Sequence, residues 1–151
     1  MSDAKQNVDW KAQHVALYKT DPEKAHLWDS SVAGYHGVIP VLLLITKGRK
    51  TGKDVYSPLI YRKQPGGAFS IIASQGGAPD HPNWYLNLLK NPEAEIQVGK
   101  DHYRVKAHTV PEGPEHNRIW QDHMSVYARY DDYQKRATNR KIPVVLLDPV
   151  S

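Results

Sequence analysis

Short strand-like runs, separated by turns rich in glycine and proline, fill most of this chain from residue 41 onward. The turns at 48–52 and 99–101 are short enough to be hairpins, so the strands that they join must lie antiparallel. This pattern predicts an α+β protein, mainly β, in which six or so antiparallel strands form a barrel or half-barrel with surrounding helices. The predicted strands are 41–46, 55–61, 69–73, 95–98, 102–110 and 142–147.

Helical spacing predicts two helices within the first 30 residues, one at 82–90 and two more at 114–127 and 130–138. Asp21 caps the second helix, which we extend to Trp28, and His81 before Pro82 is read as a cap of the third. Pro58 inside the second strand predicts an edge or a bulge. Residues 1–37, with a glycine-containing connector at 32–37, form an N-terminal helical leader. Residues 38–151 form the barrel, and the two parts make one structural domain overall.

Composition narrows the function classes without choosing one. The chain has 151 residues, a formal net charge of +4 and no cysteine, which excludes disulfides and thiolate chemistry. The positive balance suits an anionic ligand, an anionic membrane surface or nucleic acid, and plain solvation explains it equally well. No signal-peptide core or membrane-spanning run is present, so we expect a cytoplasmic protein. The lysine-rich N-terminal helix either packs on its own domain or touches a membrane surface peripherally.

The segment 47–53 concentrates four cations in a glycine turn between two predicted strands. Its spacing and its position before a strand are wrong for a nucleotide P-loop. It can still hold phosphate or carboxylate, although a solvated turn explains it as well. Aromatic residues do not interleave with the basic ones, so we expect no nucleic-acid partner. His116 and His123 lack further ligands at convincing spacing, and we expect no metal site.

Three tyrosines recur every third residue near a predicted helix break, at Tyr127, Tyr130 and Tyr133. They can pack in the core, or they can wall a binding site with apolar rings that carry hydroxyl groups. The spacing alone leaves both interpretations open.

Four motifs together resemble the deazaflavin-dependent nitroreductase family, which consists of actinobacterial split β-barrel proteins that use the reduced deazaflavin coenzyme F420. They are GRKTGK at 48–53, SPL at 57–59, ASQGGAPDHPNWYLNLLKNPEAEIQVG at 73–99 and KIPVVLLDP at 141–149. The resemblance covers roughly residues 42–149. It implies a split β-barrel and an F420-dependent reductase.

The resemblance also implies roles for matching positions. Basic turn residues would hold the phosphate and the acidic glutamyl tail of the coenzyme, and the other positions would surround its ring. The implied cofactor-binding residues are Arg49, Lys50, Lys53, Pro58, Leu59, Ala73, Ser74, Gln75, Gly76, Asn83, Trp84 and Asn87. Tyr127, Tyr130 and Tyr133 would wall the acceptor side. Tyr133 or Ser74 would orient the acceptor's oxygen or donate a proton to it.

Three positions depart from the family pattern. Val55 replaces an arginine, Gln75 replaces a lysine of some members, and Ile60 replaces a tyrosine of the nitroreductase. The resemblance predicts hydride transfer from F420H2 to an electron-poor acceptor, either a quinone or a nitroaromatic. Two alternatives stay open: an oxidoreductase that uses flavin mononucleotide (FMN) on the same barrel, and a non-catalytic carrier or sensor of a flavin-type cofactor.

Overall fold

The computed structural model of this chain describes residues 3–29 and 37–150, so the predicted connector lies outside the described residues except for Gly37. The helices are α1 (Asp3–Thr20), α2 (Pro22–His26), α3 (Asn83–Lys90), α4 (Pro114–Met124) and α5 (Tyr130–Arg136). The strands are β1 (Leu27–Asp29), β2 (Val38–Lys47), β3 (Asp54–Ile60), β4 (Arg62–Lys63), β5 (Phe69–Ile72), β6 (Glu93–Val98), β7 (Asp101–Thr109) and β8 (Val144–Pro149). A 3-10 turn covers Gln75–Gly77.

One antiparallel sheet carries the eight described strands, in the order β1-β2-β6-β7-β8-β5-β4, and β3 pairs with β2 beside this path. β2 is the branching point of the sheet. Its residue Leu44 pairs with Ser57 of β3 and with Ile96 of β6. β2 therefore pairs with three strands, with β1 at residues 38–40, with β3 at 41–47 and with β6 at 43–45.

Burial on both faces explains why β2 reads as a continuous apolar run. Leu42 and Leu44 point into the barrel core, whereas Leu43 packs outward against Tyr18 of α1 and Ala25 of α2. The leader thus covers the outer face of the central strand. α4 and α5 cover the outer face of β8 in the same way, through a second apolar cluster that includes Val144.

The six predicted strands correspond to β2, β3, β5, β6, β7 and β8, with ends that differ by a few residues. Pro58 lies in β3, which pairs only with β2 within the described sheet, so the predicted edge is confirmed. The short strands β1 and β4 were not predicted. The extension of the second helix to Trp28 is wrong: the helix ends at His26, and Trp28 pairs with Ile39 in β1. Trp28 is 7% exposed there, and this burial outweighs its local helical spacing.

The described helices include none that is both long enough and apolar enough to cross a membrane.

A buried polar network fastens α4 to the strands beneath it. His123 is fully buried, and its Nε2 lies 2.8 Å from Ser70 Oγ on β5. Gln64 Nε2 donates to Ser70 Oγ at 3.0 Å and to Asp122 Oδ2 at 3.1 Å. Arg62 closes the network with an ion pair to Asp122 at 3.0 Å. The network places the end of α4, and with it the segment that leads to α5.

Acid should destabilise the fold through His123. Burial lowers the pKa of His123 to about 4, whereas the unfolded side chain titrates near 6.5. The unfolded chain therefore takes up the proton first, and the free energy of unfolding falls as the pH drops from 6.5 through 4, by roughly 3 kcal/mol. His123→Gln keeps an amide group near Ser70 and cannot titrate.

Urea unfolding of wild type and His123→Gln at several pH values measures this contribution. The wild type should lose roughly 3 kcal/mol more than the variant between pH 7 and pH 4, because all other titrating groups are shared. Parallel pH dependences in the two proteins would contradict a neutral, buried His123.

Candidate active site

An open cavity of about 700 Å³ lies beside the sheet, between β3, the loop after β5, the start of α3, the tyrosine segment and α1. One wall combines flat or apolar side chains with exposed backbone. The residues of this wall that were also predicted as cofactor-binding are Pro58, Leu59, Ser74, Gln75, Gly76, Asn83 and Trp84. The structure therefore gathers predicted residues from three separate segments of the sequence around one space.

The loop in this wall has an unusual backbone. Gln75 has φ +45° although it is not glycine, and Gly76 has φ +63°. A Cβ added at Gly76 would meet nothing within 4 Å, so its backbone faces open space. Gln75 and Gly76 are exposed, and Ser74 is half-buried at the N-terminal end of the turn. Ser74, Gln75 and Gly76 therefore form an open part of the cavity lining.

Arg49 fastens the basic turn to α3. Its backbone N–H and its Nη1 both donate to Asn87 Oδ1, at 3.1 and 3.0 Å. Its guanidinium also donates to the backbone oxygen of Asn83 at 3.4 Å and to Asn83 Oδ1 at 3.2 Å. These bonds hold Arg49 half-buried against the helix, so it is not simply a solvated turn cation. Through Asn83 the turn adjoins the cavity.

Two of the predicted cofactor-binding residues lie behind the wall. Asn87 is 3% exposed, and its amide donates to Thr46 Oγ1 at 3.2 Å while its oxygen accepts from Arg49. Ala73 is fully buried, its N–H donates to Pro143 O at 3.0 Å, and its carbonyl accepts from Arg140 at 3.2 Å. Neither residue lines the cavity, and both support residues that do.

The remaining cations of the turn differ in what offsets their charge. Lys47 forms an exposed ion pair with Asp54 at 2.5 Å. Lys50 and Lys53 are exposed, and in the described part of the chain no carboxylate pairs with either of them. Neither Lys50 nor Lys53 lines the cavity, so the structure shows them as exposed turn cations whose charge no described carboxylate offsets.

The three tyrosines all line the cavity, and they also pack on one another. Tyr127 and Tyr133 bring their hydroxyl oxygens to 2.5 Å. Tyr130 is 4% exposed, belongs to the apolar cluster under α4 and α5, and has a pKa that burial raises far above its usual range. Tyr130 is therefore both a core residue and part of the wall, whereas Tyr127 and Tyr133 are half-buried at its surface.

A close backbone contact joins the loop to the tyrosine segment. A Cβ added at Gly77 would lie 2.6 Å from the carbonyl oxygen of Tyr133 and 2.9 Å from Arg136 Cβ. Gly77 also has φ +83°, so glycine is required on both counts. The loop after β5 and the tyrosine segment are therefore in direct backbone contact at Gly77.

The leader builds a side of the cavity that no sequence motif indicated. Lys11, His14 and Trp28 line it, and the His14 ring stacks on Trp28 at 4.4 Å between centroids. His14 is 2% exposed and its Nε2 donates to the backbone oxygen of Ala25 at 2.9 Å, while burial lowers its pKa. The apolar face of α1 was the one sequence signal for a contact between this helix and the cavity wall, and an apolar face does not identify the surface on which it packs.

Two further residues were read differently from the sequence. His81 is not the cap of α3, because Pro82 occupies that position and the His81 ring accepts a hydrogen bond from Arg140. Arg140 was not singled out by any motif, yet it binds the loop after β5. Among the described residues, no group of three or more His, Asp or Glu side chains is placed to hold a metal ion.

Residues 29–149 match the model of a family described as F420H(2)-dependent quinone reductase. An F420H(2)-dependent quinone reductase from Mycobacterium tuberculosis (strain ATCC 25618 / H37Rv) is 39% identical over 148 residues, which covers 91% of this chain and 95% of the relative. The similarity therefore includes the leader as well as the barrel.

Two solved structures are similar as well. One is described as the structure of an F420-H2 dependent reductase; it is 36% identical, covers 72% of this chain and 94% of its own, and has a TM-score of 0.64. The other, described as a domain-swapped dimer, is 30% identical, covers 94% of this chain and 99% of its own, and has a TM-score of 0.65. The predicted split β-barrel with surrounding helices is confirmed.

Replacing Gly77 with Ala should destabilise the protein by more than its backbone conformation alone requires. The positive φ costs roughly 1–2 kcal/mol for a residue with a Cβ. Displacing Tyr133 and Arg136 adds roughly 1–3 kcal/mol. Gly66→Ala is the matched control, because Gly66 has φ +90° and a Cβ there meets nothing within 4 Å. Urea unfolding that gives equal destabilisation for the two variants would mean that α5 does not press on the loop.

Proposed function

This chain belongs to the family of F420H(2)-dependent quinone reductases, and we propose how its cavity holds the coenzyme and the quinone. The protein is an oxidoreductase that uses coenzyme F420. The observation that supports our assignment of residues is the open cavity, with the Ser74–Gly76 loop and α3 on one side and the tyrosines on the other. Reduced F420, when bound, supplies a hydride from its deazaflavin ring.

The residues present fit this coenzyme. A flat heteroaromatic ring needs apolar surfaces on its faces and backbone groups at its edge, and Pro58, Leu59 and the exposed backbone of Gly76 provide both. An acidic tail needs cations that are not already neutralised, and Lys50 and Lys53 meet that need. We assign Lys50 and Lys53 to the tail, and Arg49, Asn83 and Asn87 to the frame that presents them.

The tyrosine wall faces the acceptor in this assignment. Reducing a quinone to a hydroquinone takes up one hydride and one proton. The hydroxyl groups of Tyr127 and Tyr133 share one hydrogen bond, so each oxygen fixes the direction in which the other can donate. We propose that Tyr133 donates a hydrogen bond to the quinone oxygen and supplies the proton, with Ser74 as the second donor. Tyr130 holds the ring positions of the other two.

Part of the cavity lining favours a quinone over a nitroaromatic acceptor. Ile39, Val41 and Ile60 contribute apolar side chains to it, and the nitroreductase has a tyrosine in place of Ile60. A quinone ring with hydrocarbon substituents gains from apolar surface, whereas a nitro group gains from donors. We propose quinones as the physiological acceptors and nitroaromatics as a weaker second class.

The two alternative functions make different demands on the same cavity. An FMN enzyme grips one phosphate and has less use for two lysines without carboxylate partners. A non-catalytic carrier has no use for hydroxyl donors that could meet an acceptor, whereas Tyr127 and Tyr133 line this cavity. Both features favour turnover with F420.

Contact of α1 with a membrane surface stays a prediction. Lys11 and Lys19 are exposed on that helix, but Lys11 also lines the cavity and Lys19 Nζ lies 5.2 Å from the centre of the Tyr56 ring. Both lysines therefore have contacts within the domain, which makes packing on its own barrel the better supported role of α1.

Removing Lys50 and Lys53 together, as Ala, should weaken F420 binding by roughly 1.5–3 kcal/mol for each charge-assisted hydrogen bond that the variant can no longer form. Binding is measured at low salt through the fluorescence of Trp84, which lines the cavity. The free energy of unfolding should change little, because both side chains are exposed.

Lys100→Ala with Lys106→Ala provides the control, because it removes the same charge from the β6–β7 hairpin and β7, away from the cavity. Its F420 affinity should stay near wild type. If the two double variants bind F420 equally weakly, the loss of affinity comes from the lower net charge and not from contacts of Lys50 and Lys53 with the coenzyme. Tighter binding of FMN than of F420 at every salt concentration would move the assignment to the FMN alternative.

Tyr133→Phe should lower kcat/KM for a quinone by about 100-fold if the hydroxyl is the proton donor, and by less if it only orients the acceptor. F420 affinity and the melting temperature should stay near wild type, because the ring is retained. Tyr127→Phe is the matched comparison, since it removes the other oxygen of the pair. Wild-type turnover in both variants would leave these tyrosines with a packing role only.

A further inference from the structure

A single guanidinium, that of Arg140, holds both ends of the loop that lines the cavity. Its Nη2 donates to Ser74 O at 2.8 Å and its Nη1 to Ala73 O at 3.2 Å. On the other side its Nε donates to Ala78 O at 3.0 Å. Nη1 also donates to Nδ1 of His81, 3.0 Å away. The planar group is half-buried and spans the loop from the first carbonyl to the last.

The segment that carries Arg140 is itself fixed. Gln134 of α5 donates from Nε2 to Arg140 O at 2.9 Å, and its Oε1 accepts from the N–H of Ile142 at 2.8 Å. Asn139 adds a bond from Nδ2 to Pro79 O at 3.1 Å. The guanidinium is therefore presented to the loop from a rigid base, not from a mobile side chain on the surface.

The loop needs such support because its backbone is unfavourable on its own. Gln75 occupies positive φ without being glycine, which costs free energy unless surrounding contacts enforce it. The loop itself makes two turn bonds, from Gly77 N–H to Ser74 O and from Ala78 N–H to Gln75 O. The carbonyl bonds to Arg140 supply the further constraint.

His81 adds a condition to this arrangement. Its Nδ1 can accept from Arg140 only when the ring is neutral with its proton on Nε2. Three titratable side chains face the ring: Arg140, Asp80, and Tyr85, whose ring stands edge-on at 5.0 Å. Burial and then the Arg140 charge lower the pKa of His81, and Asp80 opposes this only in part.

We propose that Arg140 is a positioning residue that sets the conformation of the coenzyme-binding loop. Its hydrogen bonds to the three loop carbonyls and to neutral His81 together form what we call the latch. The proposal rests on the proposed function only for the identity of the ligand, coenzyme F420. Protonation of His81 would place an N–H against the guanidinium, which removes one bond and adds a like charge. The loop then opens more readily and binds the coenzyme less tightly.

The sign of the pH effect follows from the lowered pKa. Above pH 6.5 His81 is neutral whether the latch is closed or open, so the latch has its full strength there. As the pH falls below 6.5, an open latch takes up a proton that a closed one resists. Coenzyme affinity should therefore decline from pH 6.5 downward until the closed form is protonated as well.

Amide hydrogen exchange in the coenzyme-free protein tests the positioning role without any turnover. In Arg140→Lys, which keeps the charge but cannot reach three carbonyls, the amides of residues 74–78 should exchange at least tenfold faster than in wild type. Arg104→Lys on β7 is the matched control and should leave these rates unchanged. Unchanged exchange in Arg140→Lys would overturn the proposal.

The pH profile of F420 binding, measured by tryptophan fluorescence, tests the part of His81. His81→Asn places an amide oxygen near the position of Nδ1 and does not titrate, so it should bind F420 like wild type at pH 7.5 and more tightly than wild type at pH 5.5, by about threefold or more. Coenzyme titration is common to both proteins and cancels in the ratio. A ratio that stays constant with pH would overturn the role of His81.

The two measurements separate failure of this inference from failure of the proposed function. Faster exchange in Arg140→Lys, combined with no F420 binding in wild type, would support the latch and remove the coenzyme assignment. If Arg140→Lys does not fold, His81→Phe removes the acceptor alone, and the same amides should exchange faster in it. Normal exchange in His81→Phe would count against the latch.

Discussion

The pairing of β2 with three strands, β1, β3 and β6, is the constraint on which the rest of this molecule depends. Leu44 is matched by Ser57 on one side and by Ile96 on the other, and β3, which pairs with β2 alone in the described sheet, lies off the main strand path and forms one wall of the cavity. The turn that follows β2 is held at the end of this three-stranded junction, next to α3. The leader covers the outer face of the same strand through Leu43.

The residues that face the cavity are held in place by residues that do not. Arg49 and Asn87 fix the start of α3, which carries Asn83 and Trp84. His123 and Ser70 fix the end of α4, which leads to the tyrosine segment. The polar side chains behind the cavity wall thus have hydrogen-bond partners of their own. The residues of the wall itself determine the shape of the cavity and include the few groups that can contact a ligand.

Local pattern was sufficient for the strands and insufficient for contacts between segments distant in sequence. The apolar runs and hairpin turns predicted the six longer strands, and Pro58 predicted an edge, because both signals act within a few residues. Trp28 was misread since its environment is made by Ile39 and Val41, which no helical spacing reveals. Arg140 left no signal at all: its partners are backbone carbonyls, which look the same in every sequence. Most of the predicted residues that line the cavity came from family motifs, and spacing alone did not yield them.

The way the sheet ends has a consequence for how this protein behaves at high concentration. The terminal strands β1 and β4 have three and two residues, so they offer few unpaired backbone groups to another chain. β3 is the long strand that lacks a second partner within the described sheet, and Pro58 removes one N–H from it. Proline on an edge strand is one of the features by which proteins discourage a second chain from extending a sheet. The strand that shapes the cavity therefore carries, in Pro58, a residue that interrupts such a hydrogen-bond ladder.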